Sequence, residues 1–192
     1  MVENVQINRG FNTLFRGVSF SVFSGELLVI SGGNGVGKSS LLAAAVGLLS
    51  VVAGEIKLTA EAFYLGHKRG LRIDLTALEN WQQDIRYVWN GSILEEALGD
   101  CGLRGLESRL LRRLSAGQRQ RVALAKLWFT NSQLWVLDEP LEAIDADMQR
   151  CFERKIKNHL TRGGAVILAT HTPIADKSMV TRELNLGECC AI

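Results

Sequence analysis

The segment Gly32-Gly33-Asn34-Gly35-Val36-Gly37-Lys38-Ser39 constrains the fold more than any other part of this 192-residue chain. It follows the apolar run Leu27-Leu28-Val29-Ile30, which has the composition of a strand buried on both faces. It opens residues 38–49, where Leu41, Leu42, Ala45, Val46 and Leu49 recur at helical spacing. Strand, tight glycine loop and helix in that order are the setting of a phosphate-binding loop, and the residues fit G-x-x-x-x-G-K-[ST]. The glycines let the backbone curl until successive N–H groups point at phosphate oxygens, and the helix start adds its partial positive charge. The phosphate-binding set is therefore Gly32, Gly33, Asn34, Gly35, Val36, Gly37, Lys38, Ser39 and Ser40. In it, Lys38 reaches the β and γ phosphates of ATP and Ser39 ligates Mg²⁺.

A second apolar run, Leu134-Trp135-Val136-Leu137, ends in Asp138-Glu139. A buried parallel strand of this kind delivers its last residues to the C-terminal edge of the sheet, where a phosphate loop also lies. There Asp138 would hold Mg²⁺ through its water shell, and Glu139 would be the general base that activates the attacking water. An acidic pair after a strand can equally begin a helix, so its meaning depends on the loop it faces.

The remaining pattern is α/β. Leu14, Val18, Phe20 and Val22 alternate as a strand, and 55–59 and 63–65 read as short strands. Residues 77–88 and 92–98 read as helices with no strand between them, a helical insert. A helix is predicted over 116–128 with Ser115 as N-cap, and another over 145–160 that ends at Gly163-Gly164 before the strand 165–169. With 47% hydrophobic residues and two prolines, the chain reads as one packed domain, residues 1–192, carrying a helical subdomain at about 71–127. Its net charge of +2 gives no basic field for nucleic acid. The polar start, residues 1–10, lacks a signal peptide's apolar stretch, and the apolar segment 41–52 falls short of the roughly 18 residues that span a bilayer, so a cytosolic protein that meets membranes only through a partner is expected. Cys101, Cys151, Cys189 and Cys190 have no metal or redox spacing and read as free thiols.

Between the two phosphate-site motifs lies Leu114-Ser115-Ala116-Gly117-Gln118-Arg119-Gln120-Arg121, which resembles the signature motif of the ABC ATPases. The order and spacing of the other motifs agree with that family across the chain. The resemblance implies a P-loop core of ABC type with an antiparallel β part at the N-terminus and a small helical subdomain. It implies a head-to-tail homodimer in which Ser115, Gly117 and Gln118 close over ATP held by the other subunit's loop. It also assigns His171, in Ala169-Thr170-His171, to the γ-phosphate and Asp145 to a loop that touches the partner, and offers Phe11 for stacking on adenine. Where the family usually carries a glutamine Mg²⁺ and water sensor, this sequence has His67, a titratable ring in the metal set.

The segments Leu65-Gly66-His67, Leu75-Thr76-Ala77-Leu78-Glu79-Asn80, Leu127-Trp128, Leu134-Trp135 and Gly163-Gly164-Ala165-Val166-Ile167 resemble one branch, the ATPase subunits of cytochrome c maturation haem exporters. The two Leu-Trp pairs are also what core packing would use. The branch implies integral membrane subunits as partners, no nucleic acid, and a peripheral place on the cytoplasmic face of the inner membrane. A generic small-substrate transporter ATPase and a soluble ABC protein acting on ribosomes or DNA stay open as alternatives. The single cassette and the lack of sustained heptads weigh against the last.

Overall fold

A computed structural model describes residues 1–10, 12–66, 70–83 and 90–189, with only the backbone of Glu188 and Cys189. Phe11, His67 and Cys190 lie outside it, as does 84–89 of the helix expected over 77–88. The described residues form two compact units. One comprises Met1–His67, Ser132–Glu139 and Lys157–Ile192, the other Lys68–Asn131 and Pro140–Ile156.

The first unit holds two sheets. Strands β1 (Val2–Arg9), β2 (Asn12–Phe20) and β4 (Ala53–Ile56) form an antiparallel sheet in the order β2-β1-β4. Strands β3 (Leu27–Ser31), β5 (Ala62–Leu65), β6 (Leu134–Asp138), β7 (Ala165–Ala169) and β8 (Arg182–Asn185) form a parallel sheet in the order β5-β6-β7-β3-β8. Helix α1 (Lys38–Ala45) packs against β6 and β7 on one side and β1 on the other. Its Leu41 and Leu42 are fully buried with Val5, Phe15, Ile30 and Val136 in one apolar core, the main gain that fixes the loop preceding the helix.

Several boundaries differ from the sequence expectation, most of all those of α1 and β4. Helix α1 stops at Ala45, short of 49, because Gly47 takes φ 77 and the amides of Gly47 and Leu48 turn back to the carbonyls of Ala44 and Ala43. That is a Schellman stop, and glycine occupies its left-handed position without strain. Strand β4 starts at Ala53 and ends at Ile56, earlier than 55–59, because its register is set by β1, with Val2 opposite Ile56 and Gln6 opposite Ala53. Strand β1 itself escaped the sequence reading. Its register shifts between Val2 and Val5 and again between Val5 and Ile7, and Asn4 has φ 48, so the period-two pattern is broken. Strand β8 also escaped it, being a largely exposed, polar edge strand.

The second unit is helical, with α2 (Ala77–Gln82), α3 (Gly91–Asp100), α4 (Ala116–Phe129) and the start of α5 (Ala146–Thr161). Thr76 and Glu79 close a capping box on α2. Trp81 is fully buried, donates from Nε1 to the Val122 carbonyl at 2.9 Å and lies 5.2 Å from the Phe129 ring. Asp100 joins three helices: it accepts from Trp128 Nε1 at 3.2 Å and from Arg154 at 3.1 Å, while Lys155 Nζ stands 4.7 Å over the Trp128 ring. Trp135, in the first unit, stacks on His159 with centroids 3.7 Å apart. Both tryptophans of the Leu-Trp pairs are thus used in packing. Cys101 and Cys151 are free and buried, and burial pushes both thiols up, away from reactivity. Among the described residues no helix is long and apolar enough to cross a membrane.

Candidate functional site

The loop Gly32 to Gly37 leaves the C-terminal end of β3 and feeds α1, whose first turn carries no acidic side chain to compete with an anion. Gly32, Gly35 and Gly37 all have positive φ, at 137, 81 and 108. At Gly37 a second constraint applies, because a Cβ would stand 2.9 Å from Cε1 of Phe15. Sequence reading missed a neighbour of Gly32: a Cβ there would meet the Gly187 amide at 3.3 Å, so α6 (Leu186–Cys189) backs the start of the loop. Asn34 and Ser39 are exposed; Val36 and Ser40 are half-buried.

Lys38 is only 7% exposed. Its ammonium donates to the Gly32 carbonyl at 2.9 Å, lies 2.8 Å from His171 Nε2 and sits 3.6 Å from Glu139 Oε1. Glu139, 19% exposed, follows β6 with φ 49, an uncommon conformation for a residue with a side chain. Its amide bonds to the Ala169 carbonyl at 2.9 Å, and its Oε2 accepts from the His171 amide at 3.1 Å. Three of the residues singled out from sequence, Lys38, Glu139 and His171, therefore meet at one end of the parallel sheet. A cavity of ≈ 670 Å³ adjoins this cluster on the His171 side, lined by Ser31, Gly32, Gly33, Thr170, His171 and Lys177 among others but not by Lys38, Asp138 or Glu139.

Asp138 is 3% exposed, and neither of its carboxylate oxygens has a hydrogen-bond partner. A buried carboxylate with open lone pairs is costly unless a cation or ordered water completes it. The donor set fits Mg²⁺, which commonly takes one or two carboxylates and draws its other ligands from phosphates and water. Among the described residues no group of three His, Cys, Asp or Glu side chains converges on one point.

In the second unit, Ser115 accepts from the Gln118 amide at 3.1 Å, and Gln118 Oε1 accepts from the Ser115 amide at 2.9 Å, a capping box on α4. The cap orders this helix start, and the Ser115 hydroxyl keeps its proton to donate. Gly117 packs close to the Ala143 carbonyl, 3.1 Å from where a Cβ would stand, and Ala143 has φ 60. Asp145, expected to touch a partner, caps α5 by accepting from the Met148 amide at 2.9 Å and pairs with Arg121.

The ABC transporter family profile matches residues 15–142, from within β2 to just past the acidic pair. The chain belongs to the ABC transporter family. The cassette is 41% identical to the cytochrome c biogenesis ATP-binding export protein CcmA 1 of Salmonella paratyphi A, over 96% of this chain and 95% of that protein. It is 38% identical to the CcmA protein of Aliivibrio fischeri, over 97% and 98%. The fold is that of solved ABC cassettes. An ATP-binding subunit of an ABC transporter superposes with TM-score 0.84 at 20% identity, over 97% of this chain and 85% of that one. The dimeric cassette MJ0796 does so with TM-score 0.82 at 22% identity, over 97% and 94%. The cassette is an ABC-type ATPase, and its antiparallel sheet beside a parallel sheet is the architecture expected from sequence.

Proposed function

We propose that this cassette is the ATP-hydrolysing subunit of a membrane ABC complex that powers haem delivery or export for cytochrome c biogenesis. The observation that carries the hydrolytic part is the meeting of Lys38, Glu139 and His171 beside the phosphate loop. The cytochrome c part rests on 41% identity over nearly the full length of an export protein of that system.

In this reading the amides of the Gly32–Ser40 segment cradle the phosphates, and Lys38 exchanges its contacts with the Gly32 carbonyl and His171 for the β and γ phosphates. Ser39 and Asp138 would hold Mg²⁺, which would neutralise charge on the phosphates. Glu139, its backbone pinned to β7 and its Oε2 to the His171 amide, orients and deprotonates the attacking water. His171 contacts the γ-phosphate. Ser115, Gly117 and Gln118 bind the ATP of a second copy, so two sites form only in a homodimer. The chain acts as one ATPase domain with its helical subdomain, attached to integral membrane subunits on the cytoplasmic face of the inner membrane. No nucleic acid is involved.

The test is complementation in cells that lack their own cytochrome c biogenesis cassette. Restored covalent haem on c-type cytochromes with the wild type, and none with Glu139→Gln, is the expected result. ATPase activity in the purified chain without restoration would leave an ATPase of another transporter.

A further inference from the structure

Tyr64 has no part in the reading above, yet three observations place its hydroxyl at the acidic end of β6. The first is register. β5 and β6 are parallel with Tyr64 opposite Val136 and Leu65 opposite Leu137, so continuing by one step brings Gly66 level with Asp138. Residues two apart in a strand share a face, and paired residues of neighbouring strands do too, so Tyr64, Val136 and Asp138 lie on one face of the sheet, with Gly66 just past the end of β5. Val136 marks that face as the one packed in the core with Leu41 and Leu42 of α1.

The second is the direction of the ring. A Cβ on Gly66 would stand 2.8 Å from Tyr64 Cε1 and 2.9 Å from both Cζ and the hydroxyl oxygen. The far end of the ring therefore leans along the strand, past its last residue. Only a residue without a side chain at 66 lets it lie there.

The third is the state of the facing groups. Both oxygens of Asp138 are buried without a hydrogen-bond partner, so the phenol is not bonded to them, although the Asp138 charge is felt at its hydroxyl. The phenol is pushed up to about 12, first by burial and then by the Asp138 charge, so at neutral pH it keeps its proton. A neutral hydroxyl can donate to one water and accept from another, which suits the outer shell of a cation better than direct coordination.

We propose that Tyr64 is a positioning residue for the divalent cation: its hydroxyl, set by Gly66, anchors the water shell through which Asp138 holds the ion. The proposal rests on the assignment of Asp138 to Mg²⁺. Outer-shell partners fix the orientation of the groups that ligate, and their loss weakens metal binding without removing a ligand.

The experiment uses the full chain with ATP, and Mn²⁺ as the probe, its binding read by electron paramagnetic resonance. ATP affinity without divalent cation is measured separately by calorimetry. Tyr64→Phe keeps the ring and its packing. It should weaken Mn²⁺ binding to the protein–ATP complex roughly tenfold, with metal-free ATP affinity and melting temperature unchanged. Gly66→Ala, which drives the ring away, should weaken Mn²⁺ in the same direction. Asp138→Asn separates the two ideas. If it weakens Mn²⁺ binding while Tyr64→Phe does not, Tyr64 has no role at the ion and the Asp138 assignment stands. If Asp138→Asn leaves Mn²⁺ binding intact, the assignment itself fails and the proposal with it. A fall in melting temperature and metal-free ATP affinity in Tyr64→Phe, with Mn²⁺ affinity unchanged, would make Tyr64 a packing residue only.

Discussion

Lys38 and His171 are 133 positions apart in sequence, and their Nζ and Nε2 atoms are 2.8 Å apart in the fold. The pairing joins the helix after β3 to the residues after β7, neighbours in the parallel sheet. It also closes a circuit with Glu139, which accepts from the His171 amide and lies 3.6 Å from the ammonium. The centre is held together by its own charges, and in the proposed function incoming phosphate competes for Lys38.

Lys38→Ala should lose ATP binding. The variant removes the site's main cation and leaves Glu139 without it, so a loss of about 2–5 kcal/mol in binding, roughly thirtyfold or more, is expected. Nucleotide titration by calorimetry checks it, and near-normal affinity would remove Lys38 from the phosphate site.

Glu139→Gln should bind Mg-ATP and fail to turn it over, with the rate down by a factor on the order of 10²–10⁴. Glutamine can still accept from the His171 amide, so the local geometry survives while the base is gone. Gel filtration with Mg-ATP should show the mass of two chains. A monomeric, fully active variant would contradict both the base and the dimer.

In the proposed dimer Ser115 makes a claim that Lys38 cannot, because there it acts on ATP held by the other copy. A dimer of one Lys38→Ala chain and one Ser115→Arg chain keeps one intact composite site; neither homodimer keeps any. Mixing the two purified variants should recover ATP-dependent pairing and turnover. If the mixture does no more than either variant alone, Ser115 works within its own chain or not at all.

Asp145 gives a pH signature of stability. The Met148 amide above all, then the Arg121 guanidinium, holds its carboxyl below the ordinary value of 3.8. Because the folded value is the lower one, the charge stabilises the fold at neutral pH, and that contribution disappears as pH falls below the ordinary carboxylate range. Asp145→Asn should melt earlier than wild type at neutral pH, and the difference should shrink in acid. Thermal unfolding followed by circular dichroism across that range measures it. No difference at neutral pH would mean that capping geometry, which asparagine retains, and not charge, is what Asp145 supplies.

Gly54→Ala should destabilise the first unit strongly. At φ 86 the new Cβ would come within 2.4 Å of the Glu3 carbonyl oxygen, across the β1–β4 ladder that cannot shift without breaking its register. A cost of about 3 kcal/mol or more is expected, read as a lower denaturant midpoint. Unchanged stability would mean that β1 and β4 separate there at little cost.

Short-range chemistry made much of this protein legible in its sequence. The phosphate loop, the acidic strand end and the Ser115 cap are each built from contiguous residues whose backbone needs appear directly as glycine, lysine, carboxylate or hydroxyl, so local pattern sufficed for them. The buried strands Leu27–Ser31 and Ala165–Ala169 were equally plain, because a strand covered on both faces is apolar throughout. What depended on pairing was not legible. β1 hides its strand pattern behind bulges that only its partners β2 and β4 make sensible, β8 is polar because it is an edge, and β4 takes its bounds from β1. The same holds in the site: that Lys38 meets His171, that Asp138 is buried with both oxygens open, and that Tyr64 leans past Gly66 toward it are consequences of strand order and register. Those contacts join residues far apart along the chain, and a contact of that kind has no sequence pattern of its own, since it exists only once the sheet has brought the strand ends together.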